Sequence, residues 1–482
     1  VRPRAVTIRI RVLFIFFLLW LIIGCKGTYN LWNRRKNGEK NAQNEQNRRM
    51  NDSFSVSVAC FSLLFRNFAT TMRQMAPVMN ESTRRFILAH AGDDVRQLAL
   101  RGCKDPEVDL PFALDQIAGR QTAKMKLPSW AAVDGIVYPP HLSMEQCSSE
   151  LTARYKSGVA GKGRLLVDLT GGFGVDFTFM ARQFEQAVYV ERQPLLCAIS
   201  SENLATLGLA HTQVVCADAT DYLRTMDTAD LIFIDPARRD AHGSRTYGIA
   251  DCTPNVLELM PELTARSSRL MLKLSPMLDW QKAVADIGRE RVEAVHIVSV
   301  DNECKELLLI VNREKRSVVD EEGSLRVVCV NLSQDGTEEY FAFHPNSLAH
   351  PSAPTIHYPL STVHYLYEPN ASLMKAGCFD EIAGRYGISQ LDSNSHLFVS
   401  ETEVIDFPGR RFRIDGFTTM NKRDLKAALA GIDRANITVR NFPVSVADLR
   451  KRLRLKDGGD VYIFATTVAG AGHQLYICRK IG

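Results

Sequence analysis

Asp168-Leu169-Thr170-Gly171-Gly172-Phe173-Gly174 follows directly on the apolar run Leu165-Leu166-Val167. Glycines in a turn between strand and helix let the backbone approach a ligand where any side chain would clash. The spacing differs from the G-x-G-x-x-G of a dinucleotide site. Taken alone the turn decides little, because glycine-rich turns occur in many sheets. What surrounds it decides.

Working outward, short apolar runs recur between segments of helix length: Leu165–Leu169, Ala187–Glu191, Thr212–Ala217, Leu231–Asp235, Arg269–Leu274, Ala294–Val300 and Leu307–Val311. Runs of this kind, apolar at consecutive positions, predict a mostly parallel seven-stranded sheet covered by helices on both faces, between roughly Arg164 and Arg313. Each of the first four strands ends in a carboxylate: Asp168, Glu191, Asp218 and Asp235. A helix cap or a solvated strand end explains any one of these. Four in succession point to a ligand crevice beyond the carboxyl ends of the strands, where open parallel sheets bind.

The flanks read differently. Phe86, Leu88, Val95 and Leu98 recur at roughly helical spacing from Glu81 to Leu100, and a second helix is predicted over Pro111–Ala118, so residues 79–150 form a helical cap before the core at 151–315. Residues 316–400 read as a connector and small subdomain. They hold a hairpin of Leu325–Leu332 and Tyr340–His344 around Ser333–Gly336, and a helix over Ser372–Tyr386. The segment 401–482 alternates strand (Phe412–Ile414), helix (Lys422–Leu429), strand (Ile437–Asn441), helix (Val446–Leu453) and hairpin (Val461–Thr466 with Gln474–Cys478), as a module of its own. Asn421 with Asp424, and Ser445 with Asp448, mark its two helix starts.

The acidic strand end and the glycine turn resemble the cofactor loop of class I S-adenosylmethionine-dependent methyltransferases, with Thr170 where glycine is usual. The stretch from Met79 onward is similar, more specifically, to bacterial methyltransferases with a ferredoxin-like insert and a C-terminal THUMP-like domain. The residues behind that likeness are Ser148-Ser149-Glu150 with Tyr155-Lys156, Asp235-Pro236-Ala237-Arg238-Arg239, Tyr367-Glu368-Pro369-Asn370 and Leu475-Tyr476-Ile477-Cys478-Arg479-Lys480. The resemblance implies a Rossmann-like α/β core that binds S-adenosylmethionine through Asp168, Thr170, Gly171, Gly172, Gly174, Glu191, Asp218 and Asp235. Glu191 would accept the ribose hydroxyls and Asp218 would meet the adenine amine. It also implies RNA, tRNA or rRNA, as substrate, since THUMP domains accompany RNA-modifying enzymes.

Asp235 and Pro236 occupy the place of the Asp/Asn-Pro-Pro-aromatic turn with which many enzymes hold a flipped base, so the carboxylate and a neighbouring carbonyl are expected to accept hydrogen bonds from an exocyclic amine. Arg238 replaces the aromatic residue. With Arg239 and Arg245 it is expected to grip an anionic substrate. Carbon methylation through a cysteine is not expected, because Leu272-Lys273-Leu274-Ser275-Pro276 carries none and Cys252 reads as packing. The 11 cysteines form no C-x-x-C pair, so no metal is expected.

The formal charge of +5 permits an anionic partner without requiring one. Arg410, Arg411 and Arg413, and Arg450, Lys451, Arg452, Arg454 and Lys456, predict a basic footprint in the tail. A protein or small-molecule methyltransferase with an assembly module is the alternative; a non-catalytic binder sits poorly with the retained carboxylates.

Residues 1–78 argue against the rest. Arg2, Arg4, Arg9 and Arg11 precede an apolar run, Val12–Ile23, and Gly24-Cys25, which fits a signal peptide or lipoprotein box and is too short to span a bilayer. S-adenosylmethionine is cytosolic, and Asn30–Asn51 is too polar to bury a core. The expectation is an extended reading frame upstream of a start at Met79, and a cytoplasmic protein without a membrane partner.

Overall fold

Leu166 and Val167 are both buried although adjacent in sequence, and so are Leu231 to Ile234. A strand buried at consecutive positions must be covered on both faces, and the computed structural model of the chain, which describes residues 79–238, 248–313, 325–345 and 362–481, has that arrangement. Leu166, Leu231 and Phe233 join one apolar cluster, while Val167, Ile232 and Ile234 join the other on the opposite face. Each such side chain contributes about 1.5–3 kcal/mol on burial.

The strands of this region are β1 (Gly163–Asp168), β2 (Phe184–Glu191), β3 (Thr212–Cys216), β4 (Ala229–Ile234), the short pair β5 (Ala237–Arg238) and β6 (Cys252–Thr253), β7 (Ser267–Leu274), β8 (Val292–Val300), β9 (Glu303–Asn312), β10 (Arg326–Leu332) and β11 (Glu338–Phe343). Nine form one sheet in the order β11-β10-β8-β9-β7-β4-β1-β2-β3. The pairs β1–β2, β1–β4, β2–β3 and β4–β7 are parallel, and β9 runs antiparallel to β7 and β8. The strand order reverses at β1, between β2 and β4, which opens a crevice at their carboxyl ends.

The expected seven strands are the block from β8 to β3. The sheet also takes in β10 and β11, which the sequence reading set apart with the connector. Arg326–Leu332 pairs in parallel with Ala294–Val300, and Val327 and Cys329 bury in the same cluster as Val295 and Ile297. A hairpin is legible locally, but its docking depends on partners some thirty residues upstream.

The cap consists of helices Glu81–Ala89, Val95–Arg101, Leu110–Lys126, Pro128–Ala131 and His141–Gln146, leading into Glu150–Ala160. The single periodic stretch expected from Glu81 is thus two helices, separated by a turn at Ala91-Gly92-Asp93 and restarted by the Asp94 side chain, which accepts the Gln97 N–H. Trp130 meets Phe173 of the glycine turn edge to face at 5.1 Å, so the cap clamps the turn.

A second sheet is built from β12 (Tyr365–Pro369), β13 (Ser389–Gln390), β14 (Phe398–Ser400), β15 (Gly409–Thr418), β16 (Asn436–Arg440), β17 (Val461–Val468) and β18 (Gly472–Ile481), in the order β13-β14-β12-β15-β18-β17-β16. The tail is therefore not a free-standing module: β15 pairs with β12 of the preceding subdomain as well as with β18. The helix expected over Ser372–Tyr386 is interrupted, running Ala371–Ala376 and Phe379–Tyr386. Gly377 between them has φ of 71°, a left-handed conformation that ends a helix.

Candidate active site

At the carboxyl end of β1 the chain must turn sharply into the helix Val175–Ala181, and each residue of the turn has a visible task. A Cβ on Gly171 would lie 2.1 Å from the Tyr189 ring, so no side chain fits there. Gly172 and Gly174 have φ of 55° and 81°, in the left-handed region that glycine tolerates. The Thr170 hydroxyl accepts the Asp235 N–H at 2.6 Å and thereby ties the turn to the end of β4. That accounts for threonine where glycine is usual.

The four strand-end carboxylates meet in one cleft of about 1200 Å³. Asp168 is buried, and burial together with Asp176, Asp235 and Glu191 nearby pushes its pKa well above the usual carboxylate range; the Thr170 N–H at 2.9 Å works against this. Glu191 accepts the Gly172 N–H at 3.1 Å on one oxygen and the Gln193 N–H at 2.8 Å on the other. A carboxylate has about four lone-pair sites, so it keeps capacity for further donors. Asp218, two residues beyond β3, caps the helix Ala219–Thr225 by accepting the Thr220 N–H at 2.9 Å.

Asp235 and Pro236 follow β4 directly at the rim, and the Asp235 side chain is 39% exposed. Ala237 and Arg238 then pair with Thr253 and Cys252 in the two-stranded β5–β6 ladder, which fixes the outgoing backbone. Cys252 is buried in this ladder. Of Arg238 only the backbone position is described, and Arg239 and Arg245 lie outside the described residues.

Sequence reasoning missed the floor of the cleft. The Lys273 ammonium on β7 donates to Asp235 Oδ2 at 2.5 Å and stands 3.7 Å from Asp176 Oδ2. Lys156, fully buried on the helix Glu150–Ala160, lies 2.6 Å from both oxygens of Glu306 on β9 and 3.2 Å from Asp176 Oδ1. Ser148 donates to Asp176 Oδ2 at 2.7 Å. One signal existed: Lys273 interrupts the apolar run Leu270-Met271-Leu272-Lys273-Leu274, and a cation there has to be paired.

The basic clusters of the tail need correction. Arg410 and Arg440 both pair with the buried Glu368, Arg411 with Glu403 at 2.9 Å, and Arg413 with Asp415 at 3.3 Å. Arg450 is held by Asp457 at 2.6 Å and the Ala435 carbonyl at 2.9 Å. Arg410 and Arg440 brace the fold through Glu368, which sequence spacing does not bring near, whereas Arg411, Arg413 and Arg450 pair with carboxylates eight, two and seven residues away. Lys451, Arg452, Arg454 and Lys456 are exposed and, among the described residues, have no carboxylate partner.

A strand order reversing at β1, a glycine turn at the switch point and an acidic residue at each neighbouring strand end define a class I methyltransferase fold. The THUMP domain-like family matches residues 409–480, and a ferredoxin-like domain family matches residues 365–408. A crystal structure from Porphyromonas gingivalis W83, described as that of a methyltransferase, is 31% identical with a TM-score of 0.73, covering 83% of this chain and 98% of that one. An uncharacterized S-adenosylmethionine-dependent methyltransferase of Mycobacterium tuberculosis, strain H37Rv, is 23% identical over 344 residues, which is 70% of this chain and 87% of that relative. The chain belongs to the S-adenosylmethionine-dependent methyltransferases that carry a ferredoxin-like and a C-terminal THUMP-like domain. Its cofactor is S-adenosylmethionine.

Proposed function

We propose that this methyltransferase acts on RNA and that Asp235 receives an exocyclic amine of a base brought into the cleft. S-adenosylmethionine, when bound, supplies a methyl group on a cationic sulfonium. The chain's own residues provide the fit. A side chain on Gly172 would meet nothing nearer than the Thr170 carbonyl at 3.8 Å, which leaves open space over the turn for a ligand. Glu191 would take the ribose hydroxyls and Asp218 the adenine amine, with Asp168, Thr170, Gly171 and Gly174 shaping the loop. Asp235 and the Pro236 carbonyl would accept from the substrate.

The observation that carries the reading is the division of charge. Eight Asp and Glu line the cleft against four Lys and Arg. A cationic cofactor and a neutral base suit that lining, and phosphate is repelled from it. The cleft also exceeds the roughly 300–1,000 Å³ of a single small-ligand site, leaving room for a base beside the cofactor. Cations stand instead on the tail, where helices Lys422–Ala428 and Val446–Leu453 pack against one apolar cluster. Residues 419–460 hold ten Lys and Arg against five Asp. We infer that this surface takes the phosphate backbone while the cleft takes a base. In this reading Arg238, Arg239 and Arg245 keep the proposed role of gripping an anionic part of the substrate.

Nucleoside analysis of RNA from cells lacking the gene tests the proposal. One methylated nucleoside should disappear and return on complementation. An unchanged RNA profile, with a protein or small molecule losing its methyl group instead, would move the assignment to the alternative class.

A further inference from the structure

The Lys273 ammonium is the nearest charge to Asp235, at 2.5 Å, and its own position is over-determined. Asp176 holds it from the helix behind the glycine turn at 3.7 Å. Asp176 is in turn bound by Ser148 at 2.7 Å and by Lys156 at 3.2 Å, and Lys156 by Glu306 at 2.6 Å. The result is an alternating row, Asp235, Lys273, Asp176, Lys156, Glu306, in which every member but Asp235 has a side chain 13% exposed or less. The row joins the cap helix Glu150–Ala160, the turn helix Val175–Ala181, β7, β9 and the end of β4, which are the elements that frame the cleft floor.

Such a row is expensive to bury and would be replaced at little cost by apolar packing if stability were its only return. Its one exposed end is Asp235. We propose that Lys273 is a positioning residue for the acceptor site: it binds one oxygen of Asp235, holds that carboxylate fixed at the rim, and leaves the other oxygen for a substrate N–H. The inference rests on the reading of Asp235 as the acceptor contact. Burial works against the Lys273 ammonium, but Asp235, Asp176 and Glu306 outweigh it and push its pKa up, so it stays a cation at neutral pH. The other titratable groups facing this part of the cleft are Asp168 from β1, Cys147 from the cap, Lys305 and Glu306 from β9, and Glu258 and Glu262 from the helix Val256–Arg266. Among those described, Lys273 is the cation in contact with Asp235.

The test reads Asp235 directly and does not need the substrate. Carbon-13 spectra of protein labelled at aspartate carboxyls, with the Asp235 signal identified by its loss in Asp235→Asn, are titrated in the wild type, Lys273→Met, Lys273→Gln and Lys273→Arg. Asp235 should titrate at higher pH, by a unit or so, in both uncharged variants and return towards the wild-type position in Lys273→Arg, because removing an adjacent cation favours the neutral carboxyl. S-adenosylhomocysteine affinity should stay within about twofold in all of them. With RNA as substrate, Lys273→Met or Lys273→Gln should lower kcat at least tenfold with its acidic limb moved to higher pH, and should add little to Asp235→Asn. An unmoved Asp235 titration overturns the inference, as does a kcat loss equal in the Asp235→Asn background, which would mark Lys273 as merely structural. A shifted titration in a protein that leaves RNA unmethylated would instead sink the RNA reading and keep Lys273 where it is placed. Lys273→Gln, with a polar head group, covers the case in which Lys273→Met does not fold.

Discussion

Gly172 and Glu191 meet across the glycine turn, where the Gly172 N–H donates to Glu191 Oε2 at 3.1 Å. Gly172→Val would force a β-branched residue to a φ of 55° and point its side chain into the cleft. Glu191→Ala would remove both the proposed ribose acceptor and the acceptor for two backbone N–H groups. Glu191→Ala should weaken S-adenosylhomocysteine binding by about 1.5–3 kcal/mol, the worth of a charged hydrogen bond, or roughly ten- to a hundredfold, and Gly172→Val should weaken it by a similar order through backbone strain and the occupied space. Titration calorimetry reads this, with melting temperature as the control for folding; wild-type affinity in either variant would remove that residue from the cofactor site. These residues were legible because their types and their places at strand ends are local facts. Thr170 was legible as a departure from pattern but not as a contact, since the N–H it accepts is 65 residues away. Lys273 and Glu306 were missed, and Lys156 was legible only as part of the family likeness and not as a contact, for the same reason: three elements far apart in sequence bring them together.

The helix Val446–Leu453 shows the same limit one level up. Its start was readable from Ser445 and Asp448, which cap each other as expected: Ser445 Oγ accepts the Asp448 N–H at 3.2 Å and its hydroxyl donates to the carboxylate at 2.7 Å. Which of its cations are free to meet a partner was not readable, because Arg450 turns back to Asp457 and the Ala435 carbonyl. The RNA test therefore falls on Lys451 and Arg452, both exposed. The pair Lys451→Glu and Arg452→Glu should weaken binding to all RNA sequences alike and reduce the slope of log affinity against log salt by one to two, since phosphate contacts release counterions and carry no base information. Gel-shift titrations at several salt concentrations measure it. An unchanged slope would take this helix out of the footprint. Arg410→Gln serves as the contrast: it leaves the buried Glu368 with Arg440 alone and should lower the melting temperature while sparing the slope.

Across the whole molecule, the catalytic sheet and the second sheet share one apolar cluster, in which Val327 and Phe341 of the first are joined by Leu373, Ile382 and Phe398 of the second region. Trp280 of the core donates to the Ala376 carbonyl at 3.3 Å, and Arg385 reaches the Ala342 carbonyl at 2.7 Å. Cutting the chain before β15 would strip β12 of a partner strand, so the tail's part in substrate choice is better read from point substitutions than from truncation. The seven-strand core and its strand-end acids were legible because a parallel sheet buried on both faces leaves consecutive apolar runs; the joining of the two halves was not, because side-chain packing between segments distant in sequence leaves no local mark. The central claim is that the acidic cleft delivers a base amine to Asp235 while the cofactor is held elsewhere in the same cleft. Transfer of labelled methyl groups from S-adenosylmethionine to RNA by the wild type and Asp235→Ala, with S-adenosylhomocysteine affinity measured on the same samples, tests it most directly. The account predicts label on RNA nitrogen with the wild type, a loss of at least a hundredfold in Asp235→Ala, and a far smaller change in cofactor affinity, since Asp235 is only one of the eight residues expected to hold the cofactor. Transfer by Asp235→Ala within a few-fold of the wild type would contradict it.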